Sequence, residues 1–104
     1  MNTFITNNDQ DIEIGGSCLQ GYIEVSFAKL VETFGEPSDN YDDYKSDAEW
    51  QIEFENGVRA TVYNYKNGIN YCGTSGTPVK DITDWNVGGY NKQAVEMVME
   101  ALGL

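Results

Sequence analysis

In the segment 47–55, DAEWQIEFE, acidic side chains occupy four of the five alternate positions, and apolar side chains occupy all four positions between them. Alternate residues of a β-strand share one face and lie about 6.7 Å apart. The segment therefore predicts a half-buried strand with a row of carboxylates on its outer face. The members of this row are Asp47, Glu49, Glu53 and Glu55. Such a row can bind lysine and arginine side chains, as the phosphates of a nucleic acid do.

The loop before this strand adds further acidic and aromatic side chains. We place a candidate partner-binding surface on the loop and the strand together. Its residues are Asp39, Asp42, Asp43, Asp47, Glu49, Glu53, Glu55, Tyr41 and Tyr44. Together they bring the local charge density nearer to that of a nucleic-acid strand, which carries one phosphate per about 3.4 Å. The alternative is that these carboxylates only solvate the strand and protect its edge against aggregation.

Catalysis is not expected from this sequence. It contains no histidine, which removes the commonest general base and the imidazole ligand of most metal sites. Glu49 and Glu53 would lie about 13 Å apart along a strand, whereas hydrolysis by paired carboxylates uses about 5–9.5 Å. The loop 39–44 lacks the ligand spacing and the glycine of an EF-hand. We therefore expect no enzymatic activity, no metal site and no cofactor.

Four aromatic side chains suggest a different site, a small-ligand pocket between the sheet and the helices. They are Trp50, Tyr63, Tyr65 and Trp85. Tyrosine is favoured at binding surfaces because it offers a large contact area at low entropic cost. The competing interpretation is that both tryptophans are core residues and that a helix covers the tyrosines.

The net charge of −11 over 104 residues restricts the partners. Binding to nucleic acid or to an anionic membrane needs cations that this chain lacks, so the expected partner is a basic protein surface. We find neither a signal peptide nor a run of about 20 apolar residues, which predicts a cytoplasmic protein. Cys18 and Cys72 are expected to be buried free thiols, with a disulfide between them as the less favoured alternative.

Local patterns predict the elements that position these residues. Ser26 is an N-cap, the helix after it carries one apolar stripe, and Gly35 ends it. Residues 1–16 are predicted to form a loosely held arm or an edge strand, and a final helix is predicted to begin after Asn91. The further predicted strands are 19–25, 47–55, 58–65 and 82–87, the last of them broken by Gly88 and Gly89.

The turn after Glu55 can be assigned from side-chain register. A two-residue turn would set the apolar face of one strand against polar groups of the next. A three-residue loop with Gly57 in the left-handed conformation avoids this mismatch. Its pairs are Phe54–Val58, Ile52–Ala60, Trp50–Val62 and Glu53–Arg59. The same reasoning at 66–68 predicts a further strand, with the pairs Tyr65–Ile69 and Tyr63–Tyr71.

These elements predict an α+β fold. We expect one compact domain over residues 1–104, with an antiparallel sheet of about four strands. The sheet is a β-meander with one helix before it and a C-terminal helix packed on it.

Three runs of the chain carry a resemblance. They are SCLQGYIEVSFAKLVETFGEP, DAEWQIEFENGVRATVYNYKNG and ITDWNVGGYNKQAVEMVMEAL. The chain resembles a family of small proteins carried by bacteriophages and mobile elements, with the pattern S-x-L-Q-G-Y-I, F-G-x-P, W-x-I-x-F-x-(D/N)-G and W-x-(I/V)-G-G. The resemblance implies a phage-associated origin and assigns no catalytic residue.

Charge and resemblance together favour an inhibitory binding protein. We expect a phage-encoded acidic domain that mimics nucleic acid and occludes the basic surface of a host defence protein, such as a CRISPR effector. One alternative is a module that sequesters a small ligand in the aromatic pocket. A second alternative is a virion or assembly component, which would expose an apolar patch.

Overall fold

The computed structural model describes residues 3–38 and 45–104, and their core element is a five-stranded antiparallel sheet with the strand order β1-β3-β4-β5-β2. The strands are β1 (Phe4–Thr6), β2 (Cys18–Glu24), β3 (Glu49–Phe54), β4 (Arg59–Tyr63) and β5 (Asp84–Gly89). The α-helices are α1 (Phe27–Phe34), α2 (Ile69–Cys72) and α3 (Gln93–Leu102). The predicted α+β class is confirmed. The sheet has five strands instead of about four, and α1 lies between β2 and β3 instead of before the sheet.

Helix α1 begins and ends where its sequence signals predict. The hydroxyl of Ser26 accepts a hydrogen bond from the backbone N–H of Lys29 at 3.1 Å. Gly35 has a φ of 82°, and its N–H donates to the carbonyl of Val31 at 2.8 Å. These bonds satisfy backbone groups that a helix terminus leaves without partners.

The β3–β4 hairpin has the predicted register. Trp50 lies opposite Val62, and Glu53 lies opposite Arg59. Gly57 has a φ of 88°, the left-handed conformation that a three-residue hairpin loop requires. The bulged loop is therefore confirmed.

The predicted strand after residues 66–68 is wrong. Strand β4 pairs on its second side with β5, so that Tyr63 lies opposite Asn86 and not opposite Tyr71. Residues 69–72 form the short helix α2. Fully buried Asn64 explains the change of direction, because its side-chain oxygen accepts hydrogen bonds from the backbone N–H groups of Asp47 at 2.7 Å and Ala48 at 3.1 Å. These bonds tie the end of β4 to the start of β3, and the chain leaves the sheet.

Gly88 and Gly89 continue β5 instead of breaking it. A Cβ on Gly89 would lie 2.5 Å from the Cβ of Ala94 on α3, and a Cβ on Gly88 would lie 2.5 Å from Oγ1 of Thr61 on β4. Glycine here allows neighbouring elements to approach closely.

Within the predicted N-terminal arm, Phe4–Thr6 form the edge strand β1, which pairs with β3. The predicted free thiols Cys18 and Cys72 are exposed instead of buried.

Helices α1 and α3 cover one face of the sheet, which we call the inner face. Trp50 and Trp85 are fully buried there, with ring centroids 5.5 Å apart in an edge-on arrangement. The ring of Phe27 from α1 packs against both indoles. Each indole N–H donates to a backbone carbonyl. No helix within 3–38 and 45–104 has the length and apolarity that a bilayer crossing needs.

Candidate partner-binding surface

The opposite side of the sheet, the outer face, carries a row of polar and aromatic side chains. Strand register aligns Glu49 of β3, Tyr63 of β4, Asn86 of β5 and Tyr22 of β2 directly across the sheet. Because successive strand residues point to opposite faces, this row lies behind the buried tryptophans. Glu49 of the predicted acidic row therefore lies beside Tyr63, one of the predicted tyrosines.

The next row of the outer face is acidic. Glu24 of β2 lies directly opposite Asp84 of β5, and both side chains are exposed. Neither of them forms an ion pair with any residue that the structure describes. Like charges directly opposite each other destabilise an antiparallel pair, so this edge of the sheet holds negative charge at a cost in stability.

An open groove of about 520 Å³ lies along the first of these rows, at Tyr22, Tyr63 and Asn86. We call it the tyrosine groove; its lining residues are Leu19, Tyr22, Tyr63, Tyr65 and Asn86. Tyr22 is 70% exposed and Tyr65 is 45% exposed. Two of the three tyrosines that line it therefore offer ring surface to solvent instead of packing in the core.

Tyr63 forms the floor of the groove. Burial raises the pKa of its phenol above the ordinary value of 10.0, a side-chain hydrogen bond with Asn86 lowers it, and the negative charge of Glu49 raises it further. The net direction is upward. Tyr63 therefore stays neutral at physiological pH and adds no charge to the groove.

The carboxylate row on β3 is interrupted. Arg59 donates through Nε to Oε1 of Glu53 at 2.8 Å and neutralises one member. Gln51 lies between the two glutamates, is only 5% exposed, and donates through Nε2 to Glu49 at 2.7 Å. Glu55 accepts a hydrogen bond from the hydroxyl of Thr3 at 2.8 Å. The row keeps most of its charge but is less exposed than an isolated strand face would be.

Asp47 has a structural role. Its carboxylate accepts a hydrogen bond from the side-chain amide of Asn64 at 3.0 Å and from the backbone N–H of Asn70 at 3.3 Å. These contacts hold α2 against the start of β3. The residue is half-buried, so it is a weaker candidate for partner contact than Glu49 or Glu55.

The loop part of the predicted surface lies outside the described residues. This applies to Asp39, Tyr41, Asp42, Asp43 and Tyr44. Their contribution to the partner-binding surface stays a prediction.

The four aromatic residues of the alternative pocket do not come together. Trp50 and Trp85 are buried in the hydrophobic core on the inner face, which confirms that both are core residues. Tyr63 and Tyr65 line the groove on the outer face. The sheet separates the two pairs, and within residues 3–38 and 45–104 neither α1 nor α3 covers the tyrosines.

A lysine lies beside the tyrosine groove. The ammonium group of Lys66 is 5.2 Å from the ring centroid of Tyr65 and 5.3 Å from that of Tyr71. Lys66 has a φ of 59°, which is unusual for a residue with a side chain. Its backbone N–H donates to the carbonyl of Lys45 at 2.8 Å. The chain therefore already holds one cation over tyrosine rings at this surface.

Sequence reasoning missed the β2–β5 half of this surface. The missed residues are Leu19, Tyr22, Glu24, Asp84 and Asn86. Both segments were predicted as strands, but the prediction did not make them neighbours. The available signal was the alternation in 18–24, where Tyr22 and Glu24 flank the buried Ile23.

No protein-family model matches this chain, and no curated protein matches its sequence. The resemblance to a family carried by bacteriophages stays a prediction. Function has to be inferred from the geometry and the charge of the outer face.

Proposed function

We propose that this protein binds a basic surface of a nucleic-acid-binding protein and blocks that surface by occupying it. In the full form of the proposal, a phage encodes the chain and the partner is a host defence protein such as a CRISPR effector. Binding takes place in the host cytoplasm and needs neither catalysis nor a cofactor.

The observation that carries the proposal is the shortage of internal cations. The sequence has 17 acidic and 6 basic side chains. Within the part of the chain that the structure describes, ion pairs form only between Lys29 and Glu32 and between Arg59 and Glu53. Six basic side chains are too few to pair one-to-one with 17 carboxylates, and a basic partner can supply further cations.

The outer face is the side from which such a partner would approach. Helices α1 and α3 cover the inner face, whereas Glu49, Glu24 and Asp84 lie on the opposite, outer face. The negative field steers a basic protein toward this face and speeds association. The same field repels nucleic acid, so the chain does not bind nucleic acid. It competes with nucleic acid for the basic surface of the partner.

The proposal is tested by capture followed by competition. The immobilised chain is exposed to a bacterial host lysate, bound proteins are identified, and each is purified and titrated at about 50 mM and about 500 mM salt. We expect a nucleic-acid-binding protein that binds more weakly at high salt and releases its nucleic acid when the chain is added. An affinity that does not change with salt, or a ternary complex that keeps the nucleic acid, would contradict the proposal.

A matched pair of charge variants locates the interface. Glu49→Gln with Glu55→Gln removes two charges near the outer face, and Glu96→Gln with Glu100→Gln removes two exposed charges from α3. We expect the first pair to weaken binding about three- to tenfold at low salt, and the second pair to have a much smaller effect. Equal effects would show that net charge matters and that the outer face does not.

A further inference from the structure

The tyrosine groove combines exposed ring surface with negative charge. Tyr22 presents most of its ring to solvent on the edge strand β2, and Tyr63 and Tyr65 continue the aromatic surface toward β4. Exposed aromatic area of this kind is typical of binding surfaces, where tyrosine combines an apolar ring with a polar hydroxyl.

Three carboxylates neighbour residues that line the groove. Glu49 lies directly opposite Tyr63. Glu24 follows Tyr22 by two residues on the same face of β2, which places their Cα atoms about 6.7 Å apart, and Asp84 lies opposite Glu24. A cation bound in the groove would therefore be within reach of carboxylates from β2, β3 and β5.

The repulsion between Glu24 and Asp84 favours a cationic occupant over a neutral one. Their Cβ atoms are about 5 Å apart in a directly opposed pair, and no described basic residue forms an ion pair with either of them. A bound cation would relieve this repulsion in addition to making its own contacts, whereas a neutral group would leave the repulsion in place.

The position of Lys66 shows that these rings accept a cation. Its ammonium group lies over Tyr65, which lines the groove, and over Tyr71 beside it. Attraction between a cation and the negative face of an aromatic ring operates within about 6 Å of the ring centroid. Tyr22 and Tyr63 offer comparable rings to a cation that comes from outside the chain.

We propose that the tyrosine groove binds an arginine side chain of the partner, with the guanidinium stacked on Tyr22 and hydrogen-bonded to Glu24 and Asp84. Arginine fits better than lysine because its planar group stacks on a ring and presents five N–H donors in fixed directions. A lysine ammonium has three donors, but it is compact and strongly hydrated and has no planar face to stack on the ring. The inference rests on the proposed function only in that a basic protein supplies the arginine.

Three short peptides test the occupant directly. They share the frame acetyl-Gly-X-Gly-X-Gly-amide, where X is arginine, lysine or citrulline, the neutral analogue of arginine. Each is titrated into ¹⁵N-labelled protein, and backbone amide shifts are followed. We expect the arginine peptide to shift the amides of Tyr22, Tyr63 and Asn86, the lysine peptide to bind more weakly, and the citrulline peptide to produce no saturable shift.

Two variants separate the groove from general attraction by charge. Tyr22→Ala removes a largely exposed ring and should leave the fold intact, which circular dichroism checks. We expect it to weaken binding of the arginine peptide by about three- to thirtyfold. Tyr90→Ala removes another exposed tyrosine, which does not line the groove and whose hydroxyl donates to the carbonyl of Gly15. We expect this variant to bind the peptide as the original chain does.

Several results would overturn the inference. They are equal affinity for arginine and lysine peptides, binding of the citrulline peptide, shifts centred on β1 and β3, or equal losses in the Tyr22 and Tyr90 variants. If the groove takes no arginine while salt-dependent capture of a nucleic-acid-binding protein persists, this inference fails and the proposed function stands. If the arginine peptide binds the groove and no such protein is captured, the inference stands and the proposed function fails.

Discussion

Glu24 on β2 and Asp84 on β5 lie directly opposite each other across the edge of the sheet, and neither carboxylate forms an ion pair with a described residue. Most proteins place opposite charges or neutral side chains at such positions, because opposed like charges cost stability. The pair therefore costs folding stability, and the arginine contact proposed above would offset that cost.

Neutralising either member of this pair should stabilise the fold. We expect Glu24→Gln or Asp84→Asn to raise the free energy of unfolding by about 0.5 kcal/mol at low salt, and the second substitution to add little once the first is made. Urea denaturation of both single variants and the double variant measures this coupling. Asp11→Asn, which neutralises an exposed carboxylate outside the sheet, is the matched control. Additive effects of the two substitutions would show that the carboxylates do not interact.

Tyr63 should make stability fall in alkaline solution. Burial raises the pKa of its phenol above 10.0 in the folded chain, so the unfolded chain loses this proton at a lower pH than the folded chain does. The neutral phenol of Tyr63 therefore contributes stability that is complete below pH 10.0. This stability is lost as pH rises from there through the pKa of Tyr63 in the folded state.

The measurement compares the original chain with Tyr63→Phe between neutral pH and pH 11 or so. We expect the original chain to lose stability relative to the variant above pH 10.0. Loss of the hydrogen bond to Asn86 adds an offset that does not depend on pH in this range. Tyr90→Phe controls for the removal of one phenol. A stability difference that stays constant across the range would contradict the burial of Tyr63.

The parts of the fold that follow from short-range patterns could be predicted from the sequence. Ser26 and Gly35 bound α1 because capping depends on residues within one turn of helix. The register of β3 and β4 follows from alternation, because only one loop length sets Trp50 against Val62.

Sheet order and the binding surface could not be predicted in this way. The pairing of β5 with β4 and β2 joins segments far apart in sequence, and alternation alone does not state which strands are neighbours. Gly88 and Gly89 resembled a strand end because their role depends on Thr61 and Ala94, which approach them only in the folded chain. The tyrosine groove depends on that same pairing, and so only Tyr63 and Tyr65 were identified.

The buried amide of Asn64 should be among the most sensitive positions of the chain. Its oxygen accepts from the N–H groups of Asp47 and Ala48, and its nitrogen donates to Asp47 and Asn67 at 3.0 Å each. Asn64→Ala would leave those N–H groups without partners and cost about 3 kcal/mol, measured by urea denaturation.

Asn91→Ala is the comparison for Asn64→Ala. The side chain of Asn91 also accepts a backbone hydrogen bond, from Gln93 at 2.9 Å, but it is exposed. Water can replace that bond, so we expect a loss of about 1 kcal/mol or less. Similar losses for the two variants would mean that the Asn64 network does not hold the end of β4.

Gly89 should reject even a methyl group. Its added Cβ would lie 2.5 Å from the Cβ of Ala94 and 3.1 Å from the carbonyl oxygen of Arg59, so α3 would have to move away from the sheet. We expect Gly89→Ala to lower the free energy of unfolding by about 1–3 kcal/mol. Gly57→Ala is a useful contrast, because its Cβ would meet no atom within 4 Å and only the left-handed φ of 88° opposes it.

The Ala94→Gly substitution shows whether the contact with α3 is the cause. Glycine within a helix costs about 1 kcal/mol by itself, but it removes the methyl group against which the new side chain of residue 89 would clash. We therefore expect the double variant Gly89→Ala with Ala94→Gly to lose less free energy of unfolding than the two single variants lose in total. No such recovery is expected when Ala94→Gly is combined with Gly57→Ala, because residue 57 lies in the β3–β4 loop. Purely additive losses at 89 and 94 would place the strain elsewhere and would contradict the close packing of α3 on β5.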